Sequence, residues 1–202
     1  MIEDLVRRNR SYRRFVQREK VELGLLLRWV DLGRLAPSAR NQQPLKYMIS
    51  NDPSVNGKIF PHIAWAGALK DWPGPFEGER PSAYVAVLHD TGIPEADDMM
   101  WCDVGLACQN ILLGAVEDGY GGCLIGAFNK DQVAGVLGIG LRYRPLLLIA
   151  LGKPLENVTL EPLVKDGDIT YYRDQRGTHH VPKRSMEELV VRVFSDAKPG
   201  TP

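Results

Sequence analysis

Cysteine is scarce in this chain of 202 residues, which has only Cys102, Cys108 and Cys123. The number is odd, and no two cysteines stand in a C-x-x-C pair. A disulfide framework needs cysteines in pairs, and a four-cysteine metal or iron–sulfur site needs at least four. Both classes are therefore excluded, and we expect buried, unreactive thiols.

The sequence also lacks an excess of charge of either sign. Lys and Arg together number 25, Asp and Glu together number 25, and the pI is near 6.9. Such a balance gives no overall electrostatic attraction to nucleic acid or to a membrane surface. Neither class of partner is predicted, although a local basic patch can still bind an anion.

Long hydrophobic runs are missing as well. The longest uncharged apolar stretch, from Val104 to Val116, is well short of the roughly 18 to 20 residues of a membrane-spanning helix. The first residues, M-I-E-D-L-V-R-R, include acidic side chains and no long apolar segment, which is unlike a secretory signal. We therefore predict a cytoplasmic protein.

Several common active-site signatures are absent. Leu124 and Tyr143 stand where the dinucleotide-binding pattern G-x-G-x-x-G needs its third glycine. Neither a P-loop nor the G-x-S-x-G turn of serine hydrolases occurs. His179 and His180 are adjacent, and neighbouring side chains of a strand point to opposite faces. We therefore predict a surface or packed histidine pair, and no bound metal.

The chain has an ordinary globular share of hydrophobic residues, 44%. Amphipathic spacing and capping signals predict helices over about 20–36, after Asp52–Pro53, from Asp97 or Asp98 to about Glu117, from Asn129 to about Leu137, and from the capping box Ser185–Glu188 to about Phe194. Short apolar runs predict strands at 47–49, 83–88, 123–125 and 145–151. The mixed order predicts one α+β domain over residues 1–202, with a flexible tail at 195–202.

The helix that ends near Glu117 is almost entirely apolar. Its polar residues Asp103, Asn110 and Glu117 recur every seven positions and leave only a narrow polar stripe. One small subunit cannot easily surround such a helix, which we expect to be central and mostly buried. The pattern therefore predicts an obligate homodimer with a large hydrophobic interface.

Two basic clusters are candidates for binding a phosphate group. Arg10, Ser11 and Arg13 offer two guanidinium groups and a hydroxyl, the donors that a phosphate dianion requires. Lys183 and Arg184 form a second basic pair far downstream. Most charge runs are solvated faces, but two separate clusters in a neutral protein can converge on one phosphate.

Two loops are candidate binding elements. Between Pro37 and Pro44, the side chains of Ser38, Asn41 and Gln43 present hydroxyl and amide groups suited to the edge of a flat heterocycle, unless the loop is a plain connection. Residues 65–81 are rich in Pro and Gly and predict a long active-site loop. Its aromatic residues either cover a ligand or pack as anchors. These residues are Trp65, Trp72 and Phe76.

Together these motifs resemble the FMN-dependent nitroreductase family. R-S-Y-R-R-F around Ser11 is similar to the family's R-S-x-R opening, and P-S-A-R-N-Q-Q-P from Pro37 to its P-S-x-x-N-x-Q-P loop. G-Y-G-G-C-L-I-G ending at Gly126 resembles its glycine-rich strand, and L-G-K-P from Leu151 its L-G-x-P. The four motifs occur in the family's order over about residues 8–194, and the set is specific.

The resemblance implies an intertwined homodimer with a mainly antiparallel central sheet and two FMN molecules at the subunit interface. Each FMN would be held through its phosphate, its ribityl chain and ring, and the flavin N5. The residues implied are Arg10, Ser11, Arg13, Lys183 and Arg184 for the phosphate, Pro37, Ser38, Asn41 and Gln43 for the ribityl chain and ring, and the backbone of Ile125 and Gly126 near N5.

The resemblance also implies an activity, in which NAD(P)H reduces FMN and a small aromatic or quinone-like acceptor then takes the electrons. No catalytic side chain is needed because the flavin carries the chemistry. Lys70 is a candidate, by composition alone, for a positive charge near the flavin N1. Flavin breakdown, reductive dehalogenation and flavin binding without turnover remain alternatives, and the physiological acceptor and the choice between NADH and NADPH stay open.

Overall fold

The computed structural model describes residues 1–69, 71–94, 99–164 and 167–195, and its contacts separate the chain into two units, Met1–Glu156 and Asn157–Pro202. Two units that differ in their internal contacts are not necessarily two independently folding domains. The prediction of one domain over residues 1–202 therefore stays a prediction.

A four-stranded antiparallel sheet forms the centre of the first unit, as predicted. The strands lie in the order β1-β2-β4-β3. Each predicted strand is present, and all four are longer than the apolar run that predicted them, because strand pairing continues into the flanking residues. The bounds are Leu45–Ser50 for β1, Ala83–Asp90 for β2, Gly121–Ile125 for β3 and Tyr143–Gly152 for β4.

Helices pack on both faces of this sheet. Residues of β2 alternate between two apolar clusters, so that Val85 and Val87 join one and Tyr84 and Ala86 the other. The first cluster includes α2 and α4, and the second includes α3 and α5. The helices of this unit are Ile2–Arg8 (α1), Leu23–Arg34 (α2), Pro53–Ile59 (α3), Met100–Glu117 (α4) and Lys130–Leu137 (α5), with 3-10 turns at Ala39–Asn41 and Phe60–His62.

Local capping chemistry determines where two of these helices begin. Asp52 accepts hydrogen bonds from the backbone N–H groups of Ser54 and Val55 at 2.7 and 3.1 Å, and Pro53 occupies the first turn. Asn129 accepts from the N–H of Gln132 at 3.1 Å. Both caps were predicted from the sequence and are confirmed.

Helix α4 has a buried and an exposed face. Ala107, Cys108 and Ile111 lie in the core, whereas Trp101 and Leu106 on the other face are 54% and 41% exposed. The predicted start at Asp97 or Asp98 lies outside the described residues. Among the residues that are described, no helix is long and apolar enough to cross a membrane.

The second unit contains three short strands that were not predicted. They lie in the order β5-β7-β6, with β5 and β7 parallel and β6 antiparallel to β7. β5 spans Val158–Pro162, β6 Tyr172–Arg173 and β7 His179–Lys183. Each segment is too short, or too interrupted by proline, to produce a recognisable apolar alternation.

The final helix, α6, begins as predicted but is much shorter than predicted. The reciprocal capping box between Ser185 and Glu188 is present, and the helix spans only Met186–Leu189. The predicted extension to Phe194 is wrong, because the following residues include β-branched valines such as Val191 that are exposed and gain no packing. Most of the predicted tail, residues 196–202, lies outside the described residues.

Candidate functional site

The N-terminal basic segment Arg10–Arg14 lies against the glycine-rich strand β3. Ser11 forms a parallel bridge with Gly122, and the N–H of Tyr12 donates to the Gly122 carbonyl at 3.0 Å. A Cβ at Gly121 would lie 2.4 Å from the Tyr12 ring, and one at Gly122 would lie 2.6 Å from the Ala150 carbonyl oxygen. Gly121 therefore allows the basic segment to approach the sheet closely, and Gly122 allows close packing within the core.

A buried carboxylate fixes the backbone of this segment. Oε1 of Glu156, which is 6% exposed, accepts from the N–H groups of Arg13 and Arg14 at 2.5 and 3.2 Å. The Arg14 guanidinium donates to both carboxylate oxygens of Glu79 at 2.8 and 2.5 Å, and this bond raises the pKa of Arg14. Arg14 is thus engaged within the chain, and Arg10 and Arg13 remain the predicted anion ligands.

Arg10 carries an unsatisfied buried donor. Its Nη2 donates to the Val6 carbonyl at 2.7 Å, while its Nε is buried and has no hydrogen-bond partner within the described residues. Burial lowers the pKa of Arg10. An anion beside this guanidinium would satisfy the donor and offset the cost of desolvation, so the segment fits a phosphate group. Arg13 lies in the same segment, with Nη1 donating to the Ser11 carbonyl at 3.2 Å.

The loop between Pro37 and Pro44 is held by a different carboxylate. The Ser38 hydroxyl donates to Oδ2 of Asp103 at 2.7 Å, and the N–H of Ala39 donates to Oδ1 at 2.9 Å. The N–H of Gln43 donates back to the Ser38 hydroxyl oxygen at 3.0 Å, and the Gln43 amide donates to the Asn41 carbonyl at 3.2 Å. These bonds close the loop around its own polar groups.

The backbone of this loop is strained. Three of the four residues 40–43 have φ values in the left-handed region that favours glycine, namely Arg40 at 52°, Asn41 at 54° and Gln43 at 51°. Each such residue costs of order 1 kcal/mol or more. Strain of this kind persists only where the surroundings enforce it, which is frequent at binding sites.

A groove of about 550 Å³ opens beside the loop, between α2, β1 and the first turns of α4. Its lining is mostly apolar, with Pro37 and Tyr47 among the lining residues. Ser38, Gln43 and Asp103 are polar residues of the same lining. An apolar wall with a few fixed polar groups is typical of a small-molecule site.

The two polar sites lie at opposite ends of α4. Arg8, just before the basic segment, donates from Nη1 to the Val116 carbonyl at 3.2 Å, in the last turn of the helix. Asp103, which holds the loop, is in the first turn. From Asp103 to Val116 the helix rises about 20 Å, at about 1.5 Å per residue. In a single chain, therefore, the basic segment and the loop do not form one compact pocket.

The other residues predicted to bind the cofactor lie outside both the basic segment and the Pro37–Pro44 loop. Ile125 ends the edge strand β3 opposite Leu148, and Gly126 follows it on the surface. Lys183 ends β7, and Arg184 donates to Glu188 at 3.0 Å. Their convergence with the basic segment on one phosphate stays a prediction. Lys70 lies outside the described residues.

The aromatic residues of the 65–81 loop differ in burial. Trp65 belongs to the second apolar cluster and Trp72 packs against it, whereas Phe76 is 63% exposed. A Cβ at Gly74 would lie 2.6 Å from the Trp65 ring, so that glycine allows close packing. Trp65 is an anchor of the core. Contact between this loop and a substrate stays a prediction.

The two adjacent histidines point to different surroundings, as strand geometry requires. His179 is buried with its ring 5.1 Å from that of Tyr171. His180 lies between Oε2 of Glu161 at 3.0 Å and Oδ2 of Asp174 at 3.3 Å. Both hydrogen bonds raise the pKa of His180, and the bond to Asp174 has the larger effect. Within the described ranges, no three His, Cys, Asp or Glu side chains group as metal ligands would.

Sequence reasoning missed the two anchoring carboxylates. Asp103 gave a partial signal, since it is a charged residue in an otherwise apolar helix. Glu156 gave none, because its partners lie near the other end of the first unit.

Comparison with known proteins identifies the family. The sequence pattern of the Nitroreductase family matches residues 6–153, most of the chain. The chain belongs to the nitroreductase family. A curated relative, YodC of Bacillus subtilis (strain 168), named as an NAD(P)H nitroreductase, is 36% identical over 61 residues, which span 30% of each chain. The matched part of this chain therefore spans less than a third of that relative's length.

Solved structures agree on the fold. A nitroreductase family protein of Clostridium novyi NT superposes with a TM-score of 0.63 at 23% identity, over 76% of this chain and 85% of the other. A nitroreductase of Exiguobacterium sibiricum 255-15, crystallised with FMN, gives a TM-score of 0.62 at 22% identity, over 77% of this chain and 89% of the other. Both likenesses confirm the predicted α+β nitroreductase fold.

Proposed function

We propose that this nitroreductase family member is an FMN-dependent NAD(P)H oxidoreductase that passes electrons to a small aromatic or quinone-like acceptor. The observation that carries the proposal is the basic segment Arg10–Arg14 on β3, with the buried Nε of Arg10 lacking a partner within the described residues. A phosphate dianion supplies the missing acceptor. The crystallised FMN complex of the Exiguobacterium relative supports the choice of a flavin phosphate.

The chain's own residues have separate parts in this function. Arg10, Ser11 and Arg13 hold the phosphate together with Lys183 and Arg184, and their charge orients the cofactor. The loop residues Pro37, Ser38, Asn41 and Gln43 contact the ribityl chain and ring, and the backbone of Ile125 and Gly126 faces the flavin N5. When bound, FMN supplies the hydride and electron chemistry, and the apolar groove limits the access of water to it.

A second copy of the chain completes the site in this proposal. The basic segment and the Ser38–Gln43 loop lie about 20 Å apart along α4 in one chain. The exposed apolar face of α4, with Trp101 and Leu106, offers a surface for a partner. A homodimer in which one chain's basic segment lies near its partner's loop brings the two halves together at each of two sites.

The visible spectrum of the purified protein tests the cofactor, and NAD(P)H oxidation tests the activity. We expect flavin absorption bands and a steady-state oxidation rate above that of free FMN. A protein that holds flavin without oxidising NAD(P)H above that rate would be a binding protein. A panel of quinone, nitroaromatic and halogenated acceptors, with product analysis of the flavin itself, separates the proposed reaction from dehalogenation and flavin breakdown.

The phosphate assignment predicts a loss of FMN affinity in Arg13→Ala. A hydrogen bond to a charged group contributes about 1.5 to 3 kcal/mol, or roughly 10- to 150-fold in the dissociation constant. Titration of the flavin-free protein measures this, and riboflavin should bind the wild type more weakly than FMN. Unchanged affinity in both Arg13→Ala and Lys183→Ala would remove the assignment.

A further inference from the structure

Asp103 is a buried carboxylate whose two hydrogen bonds both hold the groove loop. It is 5% exposed and lies in the first turn of α4. Oδ2 accepts from the Ser38 hydroxyl and Oδ1 from the Ala39 N–H. A negative charge at the N-terminus of a helix is favourable, so the helix stabilises this carboxylate while the carboxylate fixes the loop.

These bonds determine which way the Ser38 proton points. An ionised carboxylate only accepts hydrogen bonds, so the single hydroxyl proton of Ser38 lies toward Asp103. One lone pair of the same oxygen accepts from the Gln43 N–H at 3.0 Å. A serine hydroxyl has one donor and two acceptor positions. Ser38 therefore has only an acceptor position left for the groove that it lines.

We propose that Asp103 is a positioning residue that turns the Ser38 proton away from the groove and so makes Ser38 an acceptor for a hydroxyl of the FMN ribityl chain. The inference rests on the proposed function, since the ribityl hydroxyls are the donors. Asp103 has a second effect through Ala39, because it anchors the loop at the start of the strained residues Arg40 and Asn41.

Asp103→Asn should change the direction of the Ser38 hydroxyl proton while keeping the bond from the Ala39 N–H that anchors the loop. The asparagine keeps the size of the side chain and can still accept from Ala39, but its amide donates toward Ser38. The Ser38 hydroxyl then accepts from the amide and turns its proton into the groove, so a ribityl hydroxyl can no longer donate there and must turn its own proton away in order to accept. We expect FMN affinity to fall about tenfold, the value of one ordinary hydrogen bond.

A double-mutant cycle tests whether Asp103 acts through Ser38. In the Ser38→Ala background, Asp103→Asn should change FMN affinity by less than about twofold, because no hydroxyl remains to be reoriented. A tenfold loss in both backgrounds would overturn the inference. So would wild-type affinity in Asp103→Asn.

Amide hydrogen exchange in the flavin-free protein tests the anchoring without a ligand. Asp103→Ala should speed exchange at Ala39 and Gln43 at least tenfold. Asn110→Ala is the matched control, because Asn110 lies on the same helix and donates to the Leu32 carbonyl at 3.1 Å. It should lower thermal stability but leave both loop exchange and FMN affinity unchanged. Unchanged loop exchange in Asp103→Ala would overturn the anchoring role.

The two levels of proposal fail in different ways. If the wild type binds neither FMN nor riboflavin, the proposed function fails. If the wild type binds FMN and the cycle shows no coupling between Asp103 and Ser38, only the present inference fails.

Discussion

The basic segment Arg10–Arg14 and the loop Ser38–Gln43 are both held by buried carboxylates from distant parts of the chain, but their backbones differ. The basic segment meets β3 at the bridge between Ser11 and Gly122, and its backbone N–H groups at Arg13 and Arg14 donate to Glu156. The loop has left-handed residues and hydrogen bonds mainly to its own groups and to Asp103. Glu156 therefore stabilises a backbone conformation that is already favourable, whereas Asp103 maintains the unfavourable backbone conformation of the loop.

This difference predicts how each half-site should respond when its carboxylate is removed. Loss of Glu156 leaves the part-buried N–H groups of Arg13 and Arg14 without this acceptor and should appear mainly as lost global stability. Loss of Asp103 releases strain as well as bonds, so its cost to stability is partly offset and its effect should appear mainly in loop order and ligand affinity.

The largest expected effect comes from breaking the helix that carries both half-sites. Leu112, 6% exposed, packs in the first cluster, and a Cβ at Gly122 would lie 2.8 Å from it. Leu112→Asp buries an unpaired charge and should cost at least about 4 kcal/mol, which prevents folding or assembly. Circular dichroism and denaturant unfolding measure the loss.

The exposed face of the same helix gives the matched control. Leu106→Asp leaves the core of each chain unchanged and should shift the dimer toward dissociation in sedimentation at micromolar concentration, with FMN affinity lost because the half-sites no longer meet. A wild type that sediments as a folded 22.5 kDa monomer would contradict the homodimer.

Glu156→Ala should have the next largest effect. It leaves the N–H groups of Arg13 and Arg14 without their acceptor, at about 1 to 3 kcal/mol each, so we expect a loss of about 3 kcal/mol in denaturant unfolding. Glu3→Ala is the control, because Glu3 pairs with Arg7 at 2.8 Å on an exposed helix face and should cost under about 0.5 kcal/mol. A larger loss in Asp103→Ala than in Glu156→Ala would reverse the comparison.

Trp72→Ala extends the comparison to the 65–81 loop. Trp72 is partly buried against the second cluster, so its truncation should cost about 2 kcal/mol, less than the roughly 3 to 5 kcal/mol of a fully buried tryptophan, without changing acceptor preference. The exposed Phe76, replaced by Ala, should leave the melting temperature nearly unchanged. An altered Michaelis constant for the acceptor with an unchanged melting temperature in Trp72→Ala would instead show a lid.

What could be predicted from the sequence depended on how local the governing interaction is. The caps Asp52 and Asn129 act within three residues, and the apolar strands read as continuous runs, so both were predicted. Asp103 and Ser38 are 65 positions apart, and Glu156 and Arg13 are 143 apart. Such pairs exist only once the tertiary fold is formed, so spacing along the chain carries no sign of them.

The predicted site residues show the same division. The motif around Ser11 and the glycine-rich strand were each recognised from the sequence, but their contact was not predicted, although Gly121 is the residue that permits the close approach. The Pro37–Pro44 loop was recognised by its polar residues, but its left-handed conformations were not, because Arg40, Asn41 and Gln43 carry no glycine signal.

The smallest expected effect is a pH dependence of the stability of β7 in the second unit. There the strands are joined by a histidine that hydrogen bonds to two carboxylates. Hydrogen bonds to Asp174 and Glu161 raise the pKa of His180, whose ring also stacks on Tyr172 at 4.7 Å. Because the folded pKa lies above the ordinary value of about 6.5, the stabilisation is complete below that value and is lost as the pH rises through the raised pKa. Protection factors of the β7 amides should therefore fall as the pH rises above about 6.5, and His180→Gln should abolish this change while His62→Gln, in the first unit, leaves it intact. Protection that is constant with pH in the wild type, or that still falls in His180→Gln, would show that the bridge does not hold β7.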